Sequence, residues 1–132
     1  MAQLTIDEGR RDRVYTDSVG KLTVGVGRNI SDREFSQDEI DLMLSNDIAL
    51  VEADLDRTMP WWRTMTEARQ GVLANMAFNL GISRLAGFKN TLAYMQAGRY
   101  DAAAAGMLDS LWAKQVGARA DRLAKIMRTG EY

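Results

Sequence analysis

Two short runs in this chain, Val14-Tyr15-Thr16 and Leu22-Thr23-Val24-Gly25-Val26, are rich in β-branched and aromatic residues. Ser18-Val19-Gly20-Lys21 supplies a tight turn between them. The spacing predicts a β-hairpin in a sequence whose remaining patterning is helical. In the second run Leu22, Val24 and Val26 alternate with Thr23, Gly25 and Gly27, giving one apolar face and one small or polar face. A glycine-lined strand face admits another backbone or a ligand at close range. Just before the hairpin, Glu8 stands near the end of a short helix, nine positions from Asp17 on the turn. A helix-to-hairpin reversal would bring these carboxyls to opposite walls of one groove.

Glycosidic cleavage uses such a pair: a protonated acid donates to the leaving oxygen, and an ionised carboxylate on the other face activates water or attacks. Partial burial at a helix end raises a carboxyl pKa, whereas an exposed turn keeps one ionised, so Glu8 suits the acid role and Asp17 the other. Structural readings stand beside this. Thr5-Ile6-Asp7-Glu8 fits a capping box, and Asp17 before Ser18 and Gly20 fits an ordinary turn aspartate. Spacing alone leaves both open.

Glu8-Gly9, then Tyr15-x-Asp17, then Gly20-x-x-Thr23-x-Gly25-x-Gly27 resembles the active-site signature of the phage-type lysozymes, the endolysin muramidases of glycoside hydrolase family 24. The resemblance resumes at residues 75–81 and 86–92, and closes at Trp112, Arg119-Ala120 and Arg128-Thr129-Gly130. It implies that Glu8 is the general acid, Asp17 the opposing carboxylate, and Thr23 the hydroxyl that helps place water. It further implies that Phe78, Asn79 and Gly27 contact the glycan, and that Arg119 orients Glu8. The same residues have plainer readings: core packing for Phe78, a polar residue near a helix end for Asn79, a solvated basic residue for Arg119. Such an arginine would also favour the charged form of Glu8, against the needs of an acid. Three positions depart from the family pattern. Arg28 replaces a histidine, so a histidine–carboxylate bridge cannot form; Val19 replaces an acidic residue; and Leu111 stands where an arginine occurs.

With no cysteine and no histidine among 132 residues, disulfides, thiolate metal sites, histidine-based triads and the usual zinc sets are excluded. Acid–base work falls to carboxylates, Lys or Tyr, and neither cofactor nor metal is expected. Residues 1–60 carry 7 Lys/Arg against 13 Asp/Glu, a net of −6, and residues 61–132 carry 10 against 5, a net of +5. The basic stretch Lys114, Arg119, Arg122, Lys125, Arg128 reads either as attraction to an anionic wall polymer or as a solvated helix face complementing the acidic half. It lacks the aromatic interleaving of a nucleic-acid surface. No apolar run approaches a membrane span, and residues 1–4 are too short for a signal peptide. An endolysin of this kind would be made in the host cytoplasm. It would then need a membrane pore from another protein, a holin, to reach the wall in the periplasm, unless the sequence is trimmed.

Beyond a polar connection from Arg28 to Phe35, Ser36-Gln37-Asp38-Glu39 is a capping box. It opens a helix predicted over about 37–57, with Ile40, Leu44, Ile48, Val51 and Leu55 in one stripe. Pro60 ends it, and Trp61-Trp62 read as packing under a loop rather than sugar stacking. Thr66 caps the next helix, with Ala68, Val72, Leu73, Met76 and Leu80 as its buried stripe and Gly81 as its stop. Three further helices are predicted near 90–97, 101–113 and 118–128, the second a close-packed core helix running from Ala102–Ala105 through Leu108, Leu111 and Trp112. The expectation is one monomeric α+β domain, mostly helical and lysozyme-like. It comprises a hairpin lobe at about 12–35, the linking helix, and a helical lobe at about 60–132 packed with the N-terminal helix. Its expected substrate is peptidoglycan, with the β-1,4 bond between N-acetylmuramic acid and N-acetylglucosamine hydrolysed with inversion. A lytic transglycosylase and a non-catalytic wall-binding or tail module are the alternatives.

Overall fold

A computed structural model describes Ala2, Gln3, Thr5 and residues 9–132, and the chain divides into two compact units, residues 1–43 and 44–132. The first unit carries three antiparallel strands in the order β1 (Arg11–Thr16), β2 (Leu22–Gly25), β3 (Arg28–Asn29). Tyr15 pairs with Thr23 and Thr16 with Leu22, but Arg11 pairs with Gly25, so β1 carries a bulge between Arg11 and Tyr15. The predicted second strand ends earlier than the alternation suggests. Gly25 and Gly27, both at φ +69°, turn the chain around Val26 and start β3, which falls within the expected polar connection. The face that becomes covered is the polar one. Thr23 is 3% exposed while Leu22 is 49% and Val26 41% exposed.

Helix α1 (Gln37–Thr58) begins as its sequence predicts. The Ser36 N–H donates to Glu39 Oε1 at 2.8 Å and the Glu39 N–H to Ser36 Oγ at 3.2 Å, a reciprocal capping box. Of its apolar stripe, Leu55 is buried, whereas Ile40, Leu44 and Ile48 are exposed. Arg28 forms an ion pair with Glu39 and lies over the Phe35 ring, 5.6 Å from its centroid. The departure at Arg28 therefore still yields a bridge to a carboxylate, made by a guanidinium.

In the second unit Pro60 sits at the start of a 3₁₀ turn, Pro60–Thr64, where its missing N–H is not needed. Trp62 is buried in the core and its Nε1 donates to Asp56 Oδ1 at 2.7 Å, so the packing reading holds for it. Trp61 is half-buried against the same core. Helix α2 (Glu67–Leu80) is capped by Thr66 Oγ1, which accepts from the Arg69 N–H, and Gly81 ends it at φ +83°, ψ +153°. Ala68, Val72, Leu73 and Met76 are buried as predicted and Leu80 half-buried. A short α3 (Ile82–Ala86), which the pattern did not announce, leads to α4 (Lys89–Gln96).

The predicted helix 101–113 is two helices, α5 (Tyr100–Leu108) and α6 (Leu111–Val116). Ser110 explains the break: its hydroxyl accepts from the Ala113 N–H at 3.1 Å and donates to the Met107 carbonyl at 2.6 Å, starting a new helix. At this break Leu108 and Leu111 are exposed, against the core role expected of them, while Trp112 is buried. Ala103 and Ala104 are buried, and a Cβ at Gly106 would lie 2.5 Å from Thr91 Oγ1, so small residues let α5 approach α4. Helix α7 (Ala118–Thr129) closes at Gly130, φ +78°. Arg69 satisfies its last carbonyls, with Nε donating to Met127 O at 2.7 Å and Nη2 to Arg128 O at 3.0 Å. Met59, Met65, Met76, Met95, Met107 and Met127 fill the core between these helices. The architecture is thus mostly helical α+β with one small antiparallel sheet.

Candidate functional site

In the first unit the hairpin turn builds a cluster around one main-chain residue, Lys21. The Asp17 N–H donates to the Lys21 carbonyl at 2.8 Å, and the Lys21 N–H returns a bond to Asp17 Oδ1 at 2.8 Å. The Val19 N–H also reaches Oδ1, at 3.0 Å, completing an Asx-type turn that Gly20 permits at φ +85°. Thr23 is buried, and its hydroxyl donates to the same Lys21 carbonyl at 3.0 Å. Asp17 and Thr23 are therefore held on one peptide group. Among the described residues no donor sits on Asp17 Oδ2. The Thr23 hydroxyl proton is committed, so its oxygen is left to accept. Two such accepting oxygens suit the two hydrogens of a water molecule.

Gly27, the third hairpin position, lies in the β2–β3 turn at φ +69°. Glu8 lies outside the described residues, as does the capping box proposed for Thr5 and Glu8. The Gly9 N–H donates to the Thr5 carbonyl at 2.9 Å, and Gly9 has φ +74°.

In the second unit Phe78, Asn79 and Arg119 line a single concavity of about 490 Å³, together with Leu44, Ile48 and Asn75. Phe78 is 52% exposed, which overturns the core-packing reading. Asn79 is exposed but not free. Its Oδ1 accepts from Trp112 Nε1 at 2.9 Å, and among the described residues its amide nitrogen has no acceptor. Sequence reasoning missed this bond and the Lys21 junction. The first joins residues 33 positions apart, and the second uses main-chain atoms that no side-chain pattern reports.

Among the described residues no three acidic groups gather as a metal site, and no helix is long and apolar enough to cross a membrane.

The first unit thus holds a carboxylate and a hydroxyl on a hairpin, and the second, mostly helical, carries a hollow lined in part by Phe78. Residues 5–128 match the phage lysozyme family, and the chain belongs to it. It is 30% identical over 152 residues to the pre-baseplate central spike protein Gp5 of Enterobacteria phage T4, an alignment that covers 94% of this chain and 26% of that protein. Two probable T4-type lysozymes of Dictyostelium discoideum are 24% and 25% identical over 156 residues, covering 96% of this chain and 92% of each. The chain thus spans about a quarter of the spike protein and nearly all of the Dictyostelium proteins.

Proposed function

We propose that this protein hydrolyses the β-1,4 bond between N-acetylmuramic acid and N-acetylglucosamine in peptidoglycan, with Glu8 as proton donor to the leaving oxygen. Asp17 and Thr23 direct water to the opposite face of the sugar, so the product is inverted. The observation that carries this reading is the joint anchoring of Asp17 and Thr23 on Lys21, with one Asp17 oxygen unused. Phe78, Asn79 and Gly27 serve as glycan contacts, and Arg119 as the partner that orients Glu8. Arg119 has no carboxylate partner among the described residues. The protein acts as a monomer, without a cofactor.

The biological setting follows the same reading: a phage or prophage endolysin, released to the wall through a holin pore for host lysis. Similarity to a central spike protein supports a second setting for the same chemistry, a lysozyme unit that travels with the phage particle. Detection of this chain in purified particles would select the second.

The deciding experiment is turnover of purified peptidoglycan by the wild type and by Glu8→Gln, with mass analysis of products. Reducing-end saccharides from the wild type, and a loss of roughly 10²-fold or more in the variant, are expected. Anhydromuramyl products would make the protein a lytic transglycosylase. Wall binding without cleavage by either form would make it a binding module.

A further inference from the structure

The side chain of Lys21 makes a contact separate from the bonds of its main chain. Its Nζ lies 3.1 Å from Asp32 Oδ2 and 3.3 Å from Oδ1. Asp32 is itself fixed. Asn29 Nδ2 donates to its Oδ2 at 3.0 Å, and Asn29 Oδ1 accepts from the N–H groups of Ser31 and Asp32 at 3.0 and 3.2 Å. Asn29 also stands opposite Thr23 in the β2–β3 ladder. The loop after β3 is tied to β2 twice more: the Leu22 N–H donates to Ser31 Oγ, and the Ile30 N–H to the Leu22 carbonyl, each at 2.8 Å. The ammonium of Lys21 is therefore held by a carboxylate that its own loop immobilises. Gly20, at φ +85°, gives the neighbouring backbone no such restraint.

From this arrangement we propose that Asp32 is a positioning residue for Asp17 and Thr23, acting through Lys21. Resting on the muramidase reading above, the proposal adds a residue that touches neither sugar nor water. Its logic is one of leverage. An exposed ion pair contributes little to global stability. The residue it steadies holds the Asp17 carboxylate through its N–H and the Thr23 hydroxyl through its carbonyl, and a misplacement of about 1 Å at a reacting group costs on the order of 10²-fold in rate. A purely structural role would move the melting temperature and the rate together. A positioning role moves kcat while KM and melting temperature stay nearly fixed.

The test uses Asp32→Ala, Lys21→Met, their double variant, and Asp32→Glu, assayed on peptidoglycan. We expect Asp32→Ala and Lys21→Met each to lower kcat roughly 10-fold, with KM within about twofold. The double variant should lose no more than either single one, because both break the same contact. Asp32→Glu should restore most of the rate. Unchanged kcat in both single variants would overturn the proposal, as would fully additive losses or losses that merely track a lowered melting temperature. If the wild type does not cleave peptidoglycan, the muramidase reading falls separately, and amide exchange still decides the brace. The Val19 and Lys21 amides, which donate to Asp17, should exchange about 10-fold faster in Asp32→Ala while those of α2 do not change. Unaltered exchange at Lys21 would overturn it.

Discussion

At Asp17 the two carboxylate oxygens differ: Oδ1 accepts the Val19 and Lys21 amides, while Oδ2 has no donor among the described residues. The turn-aspartate reading and the catalytic reading therefore do not compete, and two substitutions separate them. Asp17→Asn keeps an oxygen that the two amides can use, so the turn survives, but the carboxylate proposed to direct water is lost. A melting temperature near that of the wild type is expected, with a fall in kcat of roughly 10²-fold or more. Asp17→Ala removes the turn acceptor as well and should add about 1 kcal/mol of destabilisation, measurable by urea unfolding. Equal loss of stability in the two variants, with activity retained in Asp17→Asn, would assign Asp17 to the turn alone. Thr23 poses the complementary case. Its burial and its bond to the Lys21 carbonyl are what a strand needs to accommodate a hydroxyl, and they also fix that hydroxyl beside Asp17.

The elements that their sequences announced are those closed by local chemistry. Ser36 and Glu39 are three residues apart, and the bonds they exchange are contained in that spacing. The box makes a pH-dependent prediction. The Glu39 carboxyl is held below its ordinary range first by the Ser36 N–H, with desolvation opposing and with the Ser36 hydroxyl and Arg28 adding to the lowering. A carboxyl whose folded pKa is depressed contributes stability above its unfolded pKa, and that contribution is lost as pH falls through the lower, folded value. The melting temperature of the wild type should therefore drop on acidification below the ordinary glutamate range. Glu39→Gln should flatten part of that limb, the rest belonging to other lowered carboxyls such as Asp32 and Asp56. Ser36→Ala, which removes the cap, should cost about 1 kcal/mol at neutral pH, read by thermal unfolding. Thr66, Gly81 and Pro60 were legible for the same reason, since each acts within a few residues of itself. The break at Ser110 was not, because Ala102 to Ala113 continues a helical apolar pattern across it and only the serine's bonds divide the run. Strand β3 was hidden by being two residues long, with pairing that depends on a partner strand. The polar contacts of the candidate site, Lys21 with Asp32 and Trp112 with Asn79, leave no periodicity at all.

Across the whole molecule the sources of stability are unevenly placed. Every buried apolar side chain among the described residues falls between Leu55 and Met127, whereas the sheet contributes one buried residue, the polar Thr23. Apolar burial stabilises at roughly 25 cal/mol per Å², so the helical unit has the larger share of that term, and the hairpin is held by ladder bonds and the side-chain network around Lys21 and Asn29. Small sheets without an apolar core beneath them open at low cost. Native-state hydrogen exchange should therefore show two classes of amide. Those inside α2, α5 and α7 should exchange through global unfolding and follow its denaturant dependence. Amides of the β1–β2 ladder should exchange at least about 10²-fold faster, with little dependence on denaturant. The Val19 and Lys21 amides that grip Asp17 fall in the fast class, so the carboxylate proposed to direct water rests on the less protected part of the chain. Equal protection of ladder and helix amides would mean that the protein opens as one cooperative unit, and would remove local opening of the hairpin as a route by which the groups on Lys21 lose their alignment.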